Sequence, residues 1–382
     1  MKAIIIGGGI GGLATAVALQ RAGIEAHVYE QAPELKEIGA GLSLWANGVK
    51  ALHHLGLGEV LRTATTPLEV TGSRKADGTL LNLLDLRRVH EEVGYSSVAM
   101  HRGELLKILI DACDPTTLHV GSRAAGVNEK AEGVTVSFSD GRVVSGDILV
   151  SADGVLSEVR RQMFSHSDAR YAGYSTYRAV VDGFDPGSEW PRRAVIRTLS
   201  CGEYFGIGEI GRGRYMWFLT KNGPIDQSET SDHKEAVGRL IRSWDAPVPD
   251  IVEATPEDRV LLHPVYKSSP AKRYSLNRAI LVGDAAHPIE PALGMGAALA
   301  LEDAVVLGRC LATAPDPERA FRLYESKRVA RVRKLILWAK VLARSEQTSN
   351  RTTCRVRDLA TRIVPESVGR TLARRAFDFT GL

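Results

Sequence analysis

The sequence has 382 residues, 44% of them hydrophobic and 25% charged, with a formal net charge of +4. That length exceeds what a single core usually fills, so two lobes are expected, and so small a charge excess gives no reason to invoke a nucleic-acid partner. The four cysteines, Cys113, Cys201, Cys310 and Cys354, form no CxxC or Cys/His cluster, which argues against a disulfide framework or a metal site and for reduced thiols in a cytoplasmic protein.

In chain order, Lys2 to Ile6 is a short β-branched run of the kind buried in parallel sheets. Glycines interrupt it too soon for a signal peptide or a membrane span, which needs about 18 apolar residues in a row. Gly7 to Gly12 read as a tight turn, Ile10 to Ala22 as a helix closed by Gly23, and Glu25 to Tyr29 as a second strand ending at Glu30. Gly39 to Gly56 is a loop entering a helix, with Asn47 as its expected cap. Leu68 to Leu84 is a hairpin around Asp77-Gly78. Arg102 to Cys113 has helical spacing. Leu118 to Val120, Gly133 to Ser139 and Arg142 to Val150 read as strands, with Asp140-Gly141 as a turn. Ala172 to Val265 alternates like an antiparallel sheet, interrupted by a helix from His233 to Trp244. Arg278 to Val282 is another buried strand, followed by a helix from Gly296 to Leu311. From Pro317 the chain is helical and basic, and its arginines read as a solvated face rather than a surface for RNA or lipid.

Three motifs carry chemistry. Gly7-Gly8-Gly9-Ile10-Gly11-Gly12 satisfies GxGxxG, follows a strand, opens a helix, and has Glu30 at the end of the next strand. Gly7 permits the turn, Gly9 lets the backbone approach a pyrophosphate, and Gly12 lets helix and strand pack closely. The helix N-terminus favours phosphate, and Glu30 accepts from ribose hydroxyls, disfavouring a 2′-phosphate; the nucleotide is FAD or NAD. The second motif is Ala152-Asp153-Gly154, with Ser157 and Arg160 after it. The third is Gly283-Asp284-Ala285-Ala286-His287-Pro288, followed by Pro291, Gly294 and Gly296. A strand ending in Gly-Asp puts an acceptor at the carboxyl edge of a sheet, where open α/β folds bind ligands.

In combination and order, these motifs resemble the group A flavoprotein monooxygenases, the family of p-hydroxybenzoate, salicylate and urate hydroxylases, over about residues 1 to 340. The resemblance implies an α/β fold: a Rossmann-like FAD-binding domain, a mostly antiparallel substrate-binding sheet, and C-terminal helices. The corresponding divisions are 1–67, 99–168 and 266–311 for FAD; 68–98 and 169–265 for substrate; and 312–382 for the helices. It implies FAD contacts at Gly7, Gly9, Gly11, Gly12, Glu30, Gln31, Ser43, Arg102, Ala124 and Asp284. Asp153 would support the fold and the nicotinamide-nucleotide path. Gly294, Met295, Gly296 and Ala297 would turn a helix N-terminus toward the flavin. Met295 and Ala298 replace a family glutamine and asparagine, and Ala46 a frequent proline. Tyr204 stands near the position of a substrate-binding arginine of urate hydroxylases, which argues against urate. Arg178, Tyr177 and Tyr204 are the substrate-pocket candidates; Arg178 reads as a clamp for an anionic substrate or a guide for the moving flavin, and equally as a surface ion pair.

The implied reaction is the family's. NADPH or NADH reduces FAD, O2 adds at flavin C4a, and the hydroperoxide passes one oxygen atom to a small aromatic or polycyclic substrate, with no metal and no named catalytic base. The expected protein is cytoplasmic, a monomer or homodimer, with no nucleic-acid or membrane partner. The rival readings are a flavin reductase or dehydrogenase, an epoxidase, and, more remotely, a halogenase or a non-catalytic ligand binder.

Overall fold

The computed structural model describes residues 1–35, 40–130, 132–164, 169–225 and 232–380. The predicted loop start at Gly39 and boundary at 168 lie outside these. In chain order the elements that build the site begin with β1 (Lys2–Ile6), α1 (Ile10–Arg21) and β2 (Glu25–Tyr29). The hairpin β3 (Val70–Lys75) and β4 (Leu80–Asp85) and the strand β5 (Ile148–Ser151) come next. Then follow β6 (Arg170–Asp182), β7 (Ala194–Leu199), β8 (Glu203–Gly211), β9 (Arg214–Asn222), β10 (Leu261–Lys267) and β11 (Ala279–Leu281). The chain ends in α2 (Gly296–Thr313), α3 (Pro317–Glu346), α4 (Arg351–Ile363) and α5 (Glu366–Phe377).

The first sheet runs in the order Ser275–Leu276, β11, β5, β1, β2, Leu118–His119. From β11 to Leu118–His119 it is parallel, with Ile4 between Leu149 and His27. Both of its faces are covered, which is why β1 can be almost wholly aliphatic. On one side α1 packs against α2. On the other, the meander Ala124–Lys130, Gly133–Phe138, Val143–Gly146 lays Val134, Val136 and Phe138 on Ile4, Ile6 and Leu149.

That meander corrects the expected strand from Arg142 to Val150. Val143–Gly146 pairs with Gly133–Phe138, whereas Ile148–Ser151 pairs with β1. The change of sheet falls at Asp147, whose carboxylate accepts the Lys2 N–H at 2.6 Å. Apolar alternation continues across the switch, so it cannot reveal that two sheets share one run.

The second sheet has the order β10-β6-β9-β8-β7-β3-β4 and is antiparallel except where β3 joins β7. Its two faces follow from the strand period of two. Tyr177, Ala179 and Val181 of β6 enter a core with Trp217, Val237, Ile241 and Val248, while Thr176 and Arg178 face a cavity.

The helix after the first loop spans Ala46–His54 and is preceded by Trp45 in extended conformation. Asn47 is therefore not its cap, as expected from sequence; it is buried inside the first turn and donates to Glu302 at 2.7 Å. At the C-terminus, α4 and α5 lie against β4. Cys201, in the turn between β7 and β8, and Cys354, in α4, form a disulfide across 153 residues. This corrects the expectation of four thiols; Cys113 and Cys310 are free and buried.

Candidate active site

The cavity lies where the two sheets meet. It has a volume of about 1040 Å³ and begins at Gly9, Ile10 and Gly11, at the carboxyl end of β1. The turn is as tight as its glycines imply. Gly7 has φ +107°, and a methyl at Gly12 would stand 1.8 Å from the Gly7 carbonyl oxygen. A methyl at Gly9 would meet nothing within 4 Å; here glycine opens space to the cavity. The first turn of α1 has no side-chain cap and no acidic residue, so its N–H groups and partial positive charge point at the cavity uncompensated. Glu30 closes the turn from below, accepting from Gly8 N–H at 2.6 Å and Ala32 N–H at 2.8 Å. Gly121 N–H and Ser122 N–H bond the Ala32 and Glu30 carbonyls, bringing the chain before Ala124 beside this acid.

Opposite, Gly283-Asp284 leaves β11. The Asp284 carboxyl is exposed to the cavity. Desolvation by the surrounding protein raises its pKa; the His287 charge opposes the shift and Asp303 adds to it. The turn is held by a buried charge cluster. Asp303 accepts from Gly283 N–H at 2.8 Å, from His287 at 2.5 Å and from Arg328 at 2.6 Å. Glu302 pairs with Arg328 and Arg331 and accepts from Asn47. Burial alone would raise the Asp303 carboxyl, but His287 and Arg328 outweigh it and hold it well below its ordinary value. His287 is thereby anchored rather than presented to the cavity. The segment that follows starts α2, again with no side-chain cap and no acid in the first turn. Gly294, at φ +60°, is pinned by Trp45, whose indole donates to the Leu293 carbonyl at 2.8 Å.

The far wall is apolar, with Leu84, Leu86, Val195, Met216, Trp338 and Phe377 among its residues, and three arginines break it. Arg102 stands at the start of the Arg102–Ala112 helix, and Arg178 on β6 has a buried Nε with no hydrogen-bond partner among the described residues. Burial pushes the Arg178 guanidinium below its ordinary value, and the Arg102 charge adds to this. Arg197 on β7 pairs with Glu346, the last residue of α3, whose Oε2 has no hydrogen-bond partner among the described residues. Burial raises the Glu346 carboxyl to about 7, against the opposing charges of Arg197 and Arg357. Tyr204 lies beside them with its phenol pushed well up by burial.

Two uncapped helix N-termini, an inward carboxyl and an apolar far wall fit a dinucleotide carrying a flavin ring. A family model described as FAD binding domain matches residues 1–339. Across 383 aligned residues the chain is 32% identical to the aurachin C monooxygenase/isomerase of Stigmatella aurantiaca, covering 100% of this chain and 99% of that one. It is 34% identical to the FAD-dependent urate hydroxylase of Klebsiella pneumoniae subsp. pneumoniae over 346 residues, 89% of each. The crystal structure of Klebsiella pneumoniae HpxO complexed with FAD and uric acid superposes with a TM-score of 0.92 at 31% identity, covering 99% of this chain and 96% of that one.

The chain belongs to this FAD-binding family. It is an FAD-dependent monooxygenase with the expected α/β fold.

Of the residues singled out from sequence, the monooxygenase brings Gly9, Gly11, Ser43, Arg102, Arg178, Tyr204, Asp284, Gly294, Met295, Gly296 and Ala297 to one cavity. Gly7 and Gly12 shape the turn behind it. Glu30, Gln31 and Ala124 do not line the cavity. Two expectations change. Tyr177 is not a pocket residue: it is one position out of phase with Arg178 and packs edge-on against His233 in the core. Asp153 does not reach the cavity either; its carboxylate is taken up by Ser151, Ser157 and Val159 N–H at the start of the Glu158–Met163 helix. The departure at Ala298 has a local reason. It packs close to Gly48, where an added methyl would stand 3.0 Å from the Ala298 Cβ. Arg197 and Glu346 were missed, since an arginine on a strand and a glutamate ending a basic helix carry no signal until the sheet and α3 meet.

Proposed function

We propose that this monooxygenase oxygenates a largely apolar aromatic or polycyclic molecule bearing one anionic or strongly accepting group, which Arg178 receives. The observation that carries this reading is the buried Arg178 Nε, without a hydrogen-bond partner among the described residues, on a wall otherwise lined by Leu84, Leu86, Val195 and Met216. A buried donor left unmade is costly, so a bound acceptor there is strongly favoured. Bound FAD supplies the electron transfer from NADH or NADPH and the activation of O2. The chain's own residues do the rest. The α1 N-terminus receives the pyrophosphate, Asp284 the ribityl hydroxyls, and the first N–H groups of α2 the electron-rich edge of the ring. The apolar wall excludes water from the reacting face. Arg197, held by Glu346, offers a second polar point at the far end.

Stopped-flow reduction by NADH and NADPH across a panel of aromatic acids, phenols and quinoline-type heterocycles tests this reading. One class is expected to accelerate reduction and to appear as an oxygenated product by mass. Arg178→Ala should raise the KM for that compound about ten- to a hundredfold while FAD stays bound. Equal KM values in the two proteins would remove Arg178 from the substrate site. Fast reduction with every compound, and no oxygenated product, would make the enzyme a reductase.

A further inference from the structure

The apolar stripe of α4 faces the wrong way for a soluble surface helix. Its inward side is fixed by the Cys354–Cys201 disulfide and by Arg357, which donates to the Ser200 carbonyl at 2.9 Å. Val356, Leu359 and Ile363, spaced by three and four residues and so on one face, project to the opposite side and are 62%, 62% and 68% exposed. The helices before and after it also carry exposed apolar residues. Leu337 and Val341 on α3, and Val368 and Leu372 on α5, are four apart and exposed in each case, as is the connecting Val364. Val341 and Leu372, both exposed, also line the active-site cavity.

Around the patch the charge is one-sided. Residues 333–375 contain eleven arginines and lysines against three acids, whereas the whole chain is only +4, which leaves the remainder of the chain negative. Of the three acids, Glu346 is buried against Arg197 and Asp358 is paired with Arg357. Among the described residues, Lys340, Arg344, Arg355 and Arg362 meet no carboxylate. No helix among the described residues is long and apolar enough to cross a membrane.

We propose that α3, α4 and α5 dock this face on an anionic lipid surface, with the apolar stripe in the acyl boundary, the arginines and lysines at the headgroups, and the cavity mouth open to the bilayer. Exposed apolar side chains bordered by unpaired cations are the chemistry of an interfacial helix. A second copy fits less well, because a two-fold contact would set this cationic rim against itself. Delivery of an apolar substrate through the mouth rests on the oxygenase reading above; docking does not. The expected solvated basic face accounts for the arginines but not for the outward stripe.

Flotation of the FAD-loaded full chain with vesicles tests docking without turnover. The protein should float with phosphatidylcholine vesicles containing about one third phosphatidylglycerol, remain in solution with phosphatidylcholine alone, and be released by about 0.5 M salt. Leu359→Asp with Ile363→Asp, and separately Arg355→Glu with Arg362→Glu, should each cut the floating fraction about tenfold or more without changing FAD content or NADH oxidation in solution. Failure to float with anionic vesicles, or full flotation of both double variants, overturns docking. So does sedimentation showing a dimer that the Leu359/Ile363 variant dissolves. Any of these leaves the oxygenase reading intact, and an inactive enzyme that floats leaves docking intact.

Discussion

A methyl group on residue 12 would sit 1.8 Å from the Gly7 carbonyl oxygen, and one on residue 7 would sit 2.4 Å from that of Ala152. Both obstacles are backbone and cannot rotate away. Gly12→Ala is therefore expected to separate α1 from β1 and yield protein without bound flavin, read from the flavin absorbance of the purified chain. Gly9, which faces open space, should tolerate alanine structurally yet weaken FAD retention, because that space is where a pyrophosphate would lie. Glu346 gives a pH signature. Its folded pKa, about 7, is above the ordinary carboxylate value because of burial. The folded state therefore binds the proton more tightly than the unfolded chain, and this group's contribution to stability falls as pH rises from the ordinary value through about 7. Wild-type Tm should decline more steeply across that window than the Tm of Glu346→Gln; parallel curves would refute the shift.

The central element contact is α3 against α2, where the Arg328 guanidinium lies between Glu302 and Asp303, all three fully buried. Removing one member of such a cluster strands the others' charge in a low dielectric, at a cost of about 3–5 kcal/mol. Arg328→Met is expected to lose about that much in chemical denaturation and to release FAD, since Asp303 also holds Gly283 N–H at the base of the Asp284 turn. A second element-scale prediction concerns the tie between α4 and the β7–β8 turn. Alkylation of unfolded, unreduced protein should modify Cys113 and Cys310 and spare Cys201 and Cys354; modification of all four would show the pair reduced. At this scale the sequence was legible wherever one period governed one element. α1, the β3–β4 hairpin and α2 match their expected spans within two residues at each end. It failed at Asn47, whose usual capping role is overridden by a buried partner 255 residues away, and at Asp147, where one apolar run serves two sheets.

Across the whole molecule, the cavity draws on the start of α1, β6 to β9, the hairpin β3–β4, α2, α3 and α5, segments spread over almost the full chain. The cofactor half was largely written in the sequence. Gly7 to Gly12, Glu30 and Gly283-Asp284 work through backbone conformation and local spacing, which a string of residues records directly. The substrate half was not. Which of Tyr177 and Arg178 faces the cavity depends on how β6 packs against the helix His233–Ile241, and strand alternation alone assigns them to opposite faces without saying which is which. The Arg197–Glu346 pair, the Cys201–Cys354 disulfide and the outward stripe of α4 arise where the C-terminal helices meet the second sheet. The sequence by itself determined the glycine turn that opens α1 and the Gly283-Asp284 turn that leaves β11, because those turns are local. Only the tertiary structure decided what the far wall offers a substrate and which face of the basic helices is left exposed, because both depend on contacts between elements far apart in the chain.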